Sequence, residues 1–399
     1  MLQFIFALIF MTSMLSAQIS NGSLATKNGQ WILRLSGTPY EMGYQHGKLL
    51  REEIERNIAT YLENPPADEA DRAKATSFAQ ALPNLLSFVP KRFQEEMKGI
   101  ADGSGIPLKK ILTLNLFPEM FHCSGITASQ EATIGGALYH ARILDYSVGK
   151  KLQETAVLMF VKPNEGASFV NVSYAGFIGS VTGMNSHKIA MGEIGGDGYG
   201  NWNGIPMSFL IRDILERATT LEEARNILTS SPRTCEYYYI VSDGKSNQSF
   251  GCYATLDQIH FIEPGTTYAM AASTNPEKAF LTPSSTSHYQ TLLIQEDKTH
   301  IGLIHQQLPH CVMMTGFKHP ERYPIMAERM EKNYGKIDVQ KLMEIIKSPV
   351  SRPSNLHNAI FAPAELKLWV SHAGPNDEPA CDQPYFEFSF EELSRKANG

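Results

Sequence analysis

The chain has 399 residues, 43% of them hydrophobic and 19% charged, with 30 glycines and 22 prolines spread along its length. That composition excludes a disordered, collagenous or coiled-coil protein and affords a sizeable core. The balance of 35 Lys and Arg against 41 Asp and Glu, a net charge of −6, comes without any basic run, so nucleic acid is excluded as an expected partner.

The N-terminal stretch Phe4–Leu15 is apolar and is followed by small Ser16 and Ala17. This is the layout of a secretory signal with cleavage after Ala17, although no basic residue precedes the apolar stretch. Residues 1–17 are therefore expected to be a signal peptide, and the protein to be secreted or periplasmic. Trp31–Gly37 alternates as a half-buried strand does. In Thr38-Pro39-Tyr40-Glu41 the threonine caps, proline suits the first helical position, and glutamate completes a capping box, predicting a helix to about Tyr61. Gly43, His46, Gly47, Leu50 and Ile54 recur on one face of it, small enough for a close neighbour. Two more helices are expected between Asp68 and Gly103, broken at Pro83 and Pro90, and a short one over Pro107–Phe117.

From Cys123 onward the texture changes to strands. They are expected at Cys123–Ala128, Ala137–Tyr146, Ala156–Val161, Ser168–Tyr174 and Ile189–Glu193, then at Tyr237–Ser242, Ser249–Thr255, Gln258–Glu263 and Tyr268–Ser273, and near the end at His357–Ala362, Leu366–Ser371 and Tyr385–Phe390. Helices are expected at Pro206–Arg217, Leu221–Ser230 and Pro324–Ile346. The glycine-rich run Gly195–Gly200 lacks the Lys-Ser/Thr of a phosphate cradle and reads as a long turn. Runs of strands interrupted by helix pairs predict an α+β layered sandwich.

Five cysteines, Cys123, Cys235, Cys252, Cys311 and Cys381, are odd in number and lack CxxC spacing, so neither a zinc ribbon nor a disulfide framework is indicated. Cys235 and Cys252 suit a core. His46, His122, His140 and His187 lack the signature of a papain-type pair, and His357 and His372 are too isolated for a metal site, so no metal and no cofactor are expected. Asn21, Asn171 and Asn247 open glycosylation sequons that matter only in a eukaryotic secretory pathway.

Cys123 opens one strand and Arg142-x-x-Asp145 lies on the next, which the Gly135-Gly136 turn folds back antiparallel towards it. A separation of three puts Arg142 and Asp145 on opposite strand faces, so a local bulge or coil is expected if both are to serve one site.

Together, Gly37–Gly47, Gly99–Pro107, the Cys123 strand, Arg142–Asp145 and Ser273-Thr274-Asn275-Pro276 occur in one order. On these blocks, spanning Ile32 to Phe390, the sequence resembles the acyl-CoA:6-aminopenicillanic acid acyltransferase-like cysteine hydrolases. These belong to the N-terminal-nucleophile superfamily, with the choloylglycine hydrolases and acid ceramidase-like amidases. The resemblance implies a four-layer αββα sandwich and a precursor cut between His122 and Cys123. Residues 18–122 would be a mostly helical pro-segment and 123–399 the catalytic sandwich.

The freed Cys123 would attack an amide with its own α-amine as proton relay, since an amine near ~7.7 and a thiol near ~8.5 both lie close to operating pH. By the same resemblance Asp145 holds that amine, Arg142 favours thiolate, Asn275 is the oxyanion donor and Asn185 a second asparagine of the site. Where relatives carry a second arginine before a tyrosine, this chain has His288 before Tyr289, both assigned to substrate binding. The expected partner is a small N-acyl amide, hydrolysed or passed to an acceptor amine at carbon–nitrogen bonds other than ordinary peptide bonds. The alternative is a binding protein that keeps the fold without turnover.

Overall fold

The structure is a computed structural model that describes residues 21–63, 69–116, 122–195, 202–235, 237–272, 280–281, 301–316 and 322–395. Two strands come first, β1 (Ser23–Lys27) and β2 (Gln30–Gly37), then helices α1 (Pro39–Leu49), α2 (Arg51–Ile58), α3 (Glu69–Phe88), α4 (Lys91–Ser104) and α5 (Leu108–Leu116). Strands β3 (His122–Gln130), β4 (Gly136–Asp145), β5 (Ala156–Pro163), β6 (Phe169–Tyr174), β7 (Thr182–Asn185) and β8 (Ile189–Gly195) follow. Helices α6 (Met207–Arg217) and α7 (Leu221–Ser230) lead to β9 (Tyr237–Asp243), β10 (Gln248–Ala254), β11 (Ile259–Ile262), β12 (Thr267–Ala272), β13 (Phe280–Leu281), β14 (Ile301–Gln306) and β15 (Cys311–Thr315). The chain closes with α8 (Arg322–Lys332), α9 (Val339–Ile345), β16 (Asn355–Ala362), β17 (Lys367–His372), β18 (Phe386–Ser389) and α10 (Phe390–Ser394).

The α+β class is as expected. A nine-stranded sheet runs β1-β2-β5-β6-β7-β8-β9-β10-β11, a six-stranded sheet runs β15-β3-β4-β16-β17-β18, and β13-β12-β14 form a small third sheet. Strand alternation sorts side chains to two faces. In β5, Val157, Met159 and Val161 join a core with helical residues such as Leu210 and Ile214, whereas Leu158 and Phe160 pack with Phe361 and Val370 of the six-stranded sheet. Ile126, Ile143 and Ile360, on that sheet's other face, pack with Met326, Met330 and Leu342 of α8 and α9. The nine- and six-stranded sheets thus share one core cluster, and each contributes side chains to another cluster with helices.

The helical start behaves largely as its sequence dictates. Thr38 and Glu41 form the capping box. Gly43 and Gly47 sit where a Cβ would come within 1.9 Å of the Glu96 carbonyl and 2.3 Å of the Ile100 carbonyl of α4, so the two helices cross in backbone contact. The expected single helix to Tyr61 is instead α1 and α2, divided at Leu50, with a π-helical turn over Ala59–Glu63. Pro83 does not break α3, which runs through it to Phe88. Pro324–Ile346 is two helices, α8 and α9, with Gly335 at a φ of 80° between them. Residues before Cys123 are not only helical: β2 pairs in parallel with β5 from Trp31↔Val157 to Gly37↔Pro163 and carries β1 at the sheet edge.

Candidate functional site

The Gly135-Gly136 turn, with φ of 68° and 75°, folds β4 back on β3. In this ladder His122 stands opposite Asp145, Cys123 opposite Leu144 and Gly125 opposite Arg142. Cys123 and Arg142 therefore lie on the same face, two positions apart on the diagonal, and that face looks onto β8. The Arg142 guanidinium donates to the Cys123 Sγ at 2.7 Å and to Glu193 Oε2 at 2.9 Å, and its Nε donates to the Glu193 carbonyl at 3.2 Å. The Cys123 thiol donates to the same Glu193 oxygen at 3.3 Å. Gly192 makes room: a Cβ there would lie 2.6 Å from Cγ of Arg142.

All three side chains are fully buried. Burial raises the Cys123 thiol well above its ordinary value, Arg142 opposing and Glu193 reinforcing the shift. Burial also lifts the Glu193 carboxyl to about 7, against the pull of Arg142 and of the thiol hydrogen bond. In the continuous chain the thiol thus keeps its proton despite the neighbouring cation, and the carboxyl titrates near neutrality.

Asp145 points the other way. Its carboxylate pairs with Arg322 of α8, itself buried, and accepts from the Arg352 amide at 3.1 Å. Arg322 also donates to the Cys123 carbonyl at 3.2 Å, and the Gly316 amide donates to that oxygen at 2.8 Å. Against β3 the strand alternates regularly from Arg142 to Asp145, the one irregularity beside it being in β16 between Asn355 and His357, and Arg322 carries the link from Asp145 to the Cys123 backbone.

Behind the cysteine, His357 is held between Tyr174, whose hydroxyl lies 2.7 Å from Nδ1, and Thr182, 3.0 Å from Nε2. Burial foremost, and then Arg142 and His372, drive His357 well below its ordinary value, which keeps it neutral.

Asn185 is placed elsewhere. Both its amide hydrogens donate to the end of α6, at Leu215 (3.0 Å) and Ala218 (2.8 Å), and its oxygen accepts from the His187 and Ile189 amides. It stands beside Ile189, four residues along β8 from Glu193, or roughly 13 Å at the usual rise of a strand. Asn275, His288 and Tyr289 lie outside the described residues, as does the stretch assigned as signal peptide; of His122 the backbone is described.

Two residues of the site escaped the sequence reading. Glu193 is the one charge in the run Ile189–Gly195, buried throughout, and a lone carboxylate in an otherwise apolar buried strand is itself a signal of a paired or functional group. Arg322 precedes Tyr323. An arginine before a tyrosine does occur in this chain, downstream of the His288-Tyr289 pair, and it supplies a permanent charge at the site.

The model of a family described as "Acyl-coenzyme A:6-aminopenicillanic acid acyl-transferase" matches residues 151–377. Protein dcd1B of Dictyostelium discoideum is 28% identical over 391 residues, covering 90% of this chain and 72% of that protein. The acid ceramidase of Rattus norvegicus is 31% identical over 206 residues, covering 45% of this chain and 51% of the ceramidase. Among solved structures, a Caenorhabditis elegans N-acylethanolamine-hydrolyzing acid amidase ortholog gives a TM-score of 0.40 at 14% identity, over 61% of this chain and 93% of that one.

Proposed function

The chain belongs to the acyl-coenzyme A:6-aminopenicillanic acid acyl-transferase family, and on that premise we propose that it is a self-processing cysteine amidohydrolase or acyltransferase with Cys123 as nucleophile. The observation that carries this reading is the sulfur of Cys123, held between the Arg142 guanidinium and the Glu193 carboxyl. The peptide bond preceding it lies opposite Asp145 in the β3–β4 ladder.

In the precursor the Cys123 amine is tied up in a peptide bond and cannot act as a base, so Glu193 is the group within reach of the thiol proton. As that proton passes to Glu193, Sγ attacks the His122 carbonyl carbon and Arg142 stabilises the developing thiolate. The carbon–nitrogen bond breaks as Glu193 returns that proton to the Cys123 nitrogen, leaving His122 as a thioester on Sγ. Water hydrolyses the thioester to a His122 carboxylate, freeing the thiol and the α-amine.

The new α-amine then serves as the proton relay for substrate, with the Asp145–Arg322 pair positioning the chain start. The thiol attacks a small N-acyl amide, the amine leaves with a proton, and the acyl thioester is released to water or to an acceptor amine. Asn275 remains the residue assigned to the oxyanion. The amide substrate class follows the family and the acid ceramidase relative. The secreted or periplasmic location follows the layout of residues 1–17.

A thiol-directed acyl analogue offered to the processed protein tests the reading. The expected result is stoichiometric labelling of Cys123, located by peptide mass, together with turnover of at least one member of an N-acyl amide panel. A processed chain that is never labelled would instead be a binding protein.

A further inference from the structure

β15 ends beside the nucleophile. Its last pair with β3 is Thr315↔Ser124, and one residue on, the Gly316 amide donates to the Cys123 carbonyl at 2.8 Å. A Cβ placed on Gly316 would stand 2.9 Å from the Gly195 carbonyl oxygen, 3.1 Å from the Cys123 carbonyl oxygen and 3.4 Å from the Cys123 nitrogen. Gly195 ends β8, the strand that carries Glu193. Three main chains thus meet at one bare Cα, and two of them carry Cys123 and Glu193.

The backbone of Gly316 does not itself call for glycine. Its φ lies outside the left-handed region, so its own main chain would accept alanine. What excludes a side chain is its surroundings. These are main-chain atoms of packed strands, which do not swing aside as the end of a long side chain does.

In an antiparallel ladder the N–H and C=O of one residue point to the same neighbouring strand. The Cys123 carbonyl is bonded to Gly316, so the Cys123 nitrogen faces Gly316 as well. When the bond to His122 breaks, that nitrogen turns from a planar amide into a pyramidal amine, carrying its own hydrogen and the one that Glu193 returns. To relay protons it must then turn its lone pair to Sγ. A methyl group on Gly316 would crowd this movement, and the Gly195 carbonyl on its other side would keep it from backing away. We infer that Gly316 is a positioning residue of the reaction: its bare Cα keeps the room in which the Cys123 nitrogen changes from amide to amine and turns to the thiol. The inference rests on Cys123 being the self-freed nucleophile.

The test compares Gly316→Ala with the parent, as full chains. The variant is expected to melt within a few degrees of the parent yet to self-cleave slower by about tenfold or more, since small displacements at a reacting centre are costly. Once processed, its acylation by para-nitrophenyl acetate in neutral solution should slow by a similar factor. Alkylation of the processed thiol by iodoacetamide in alkaline solution, where the thiol ionises without help from the amine, should keep the parental rate. A folded variant that cleaves and acylates like the parent would overturn the inference and leave Cys123 as nucleophile. A variant slowed equally in acylation and in alkylation would mark a general distortion of the site and overturn it too. If Gly316→Ala does not fold, the crystal structure of the processed parent decides. A Cys123 α-nitrogen packed against the Gly316 Cα supports the inference, and one turned away from it overturns it. A parent that is never cut at Cys123 fails the nucleophile reading itself, and the inference with it.

Discussion

Arg142 and Asp145, three residues apart on β4, face opposite sides of the six-stranded sheet: Arg142 meets Glu193 of the facing sheet, and Asp145 meets Arg322 of the helical layer behind. One strand thereby delivers a charge to each side of Cys123. Its sulfur is addressed by Arg142 from one face, and its carbonyl by Arg322 from the other.

The Asp145–Arg322 pair is buried, so removing one partner strands the other charge. Arg322→Met is expected to lower stability by about 3–5 kcal/mol and to abolish self-cleavage, whereas Arg322→Lys, which keeps the charge but not the fork, should retain folding better than it retains cleavage. Denaturant melts and gel-resolved processing of the two variants separate these effects. A fully processed Arg322→Met chain would show that the pair has no part in positioning Cys123.

Glu193 sets a pH dependence. The Cys123 thiol donates to the Glu193 carboxyl, and the carboxylate must be free to accept that proton, so self-cleavage should rise with pH through a transition at about 7. Glu193→Gln should slow cleavage strongly and erase that transition. The stability effect has a definite sign. A carboxyl raised in the folded state favours folding below its ordinary value of 4.5, and this contribution is lost as pH rises through about 7. The stability difference between the two proteins should therefore move in favour of the variant across that window. Cleavage rates and thermal midpoints from pH 4 to 9 check both; an unchanged profile in the variant would remove Glu193 from the proton path.

Asn185 ties β7 to the end of α6 through two donated hydrogen bonds. Asn185→Ala is expected to cost about 1–3 kcal/mol of stability while leaving cleavage in the folded fraction within a few fold of the parent. A loss of turnover by a factor of 100 or more, without a matching loss of stability, would return Asn185 to the catalytic site.

The crossing of α1 and α4 leaves no room at Gly43, where an added Cβ would lie 1.9 Å from the Glu96 carbonyl. Gly43→Ala should destabilise by about 1–3 kcal/mol through forced separation of the helices, seen as a lowered melting midpoint. Gly29→Ala meets no neighbour within 4 Å, but its φ of 75° still strains the hairpin; its cost should be the smaller of the two.

Much of this was legible in the residues, and what was missed has physical causes. Period-two patterning and turn glycines locate β3, β4, β5, β8 and β9, and Thr38 and Glu41 locate the start of α1, because these signals are local. The Cys123–Arg142 pairing followed from one tight turn. Glu193 and Arg322 arrive from strands and helices 70 and 199 residues away in the chain, a juxtaposition that only sheet stacking creates. The bulge or coil expected between Arg142 and Asp145 was unnecessary for the same reason: a partner from the helical layer completes on one face what the strand cannot bring to the other. Cys311–Thr315, which pairs with β3, passed unnoticed because its short apolar run carries no alternation to distinguish it from a core segment.

Self-processing at Cys123 is read from the intact mass and N-terminal sequence of the purified protein beside Cys123→Ala, without any substrate. The parent should separate into two pieces, the second beginning at Cys123, while the variant stays whole. Two intact, folded chains, or a cut that persists unchanged in the variant, would contradict it.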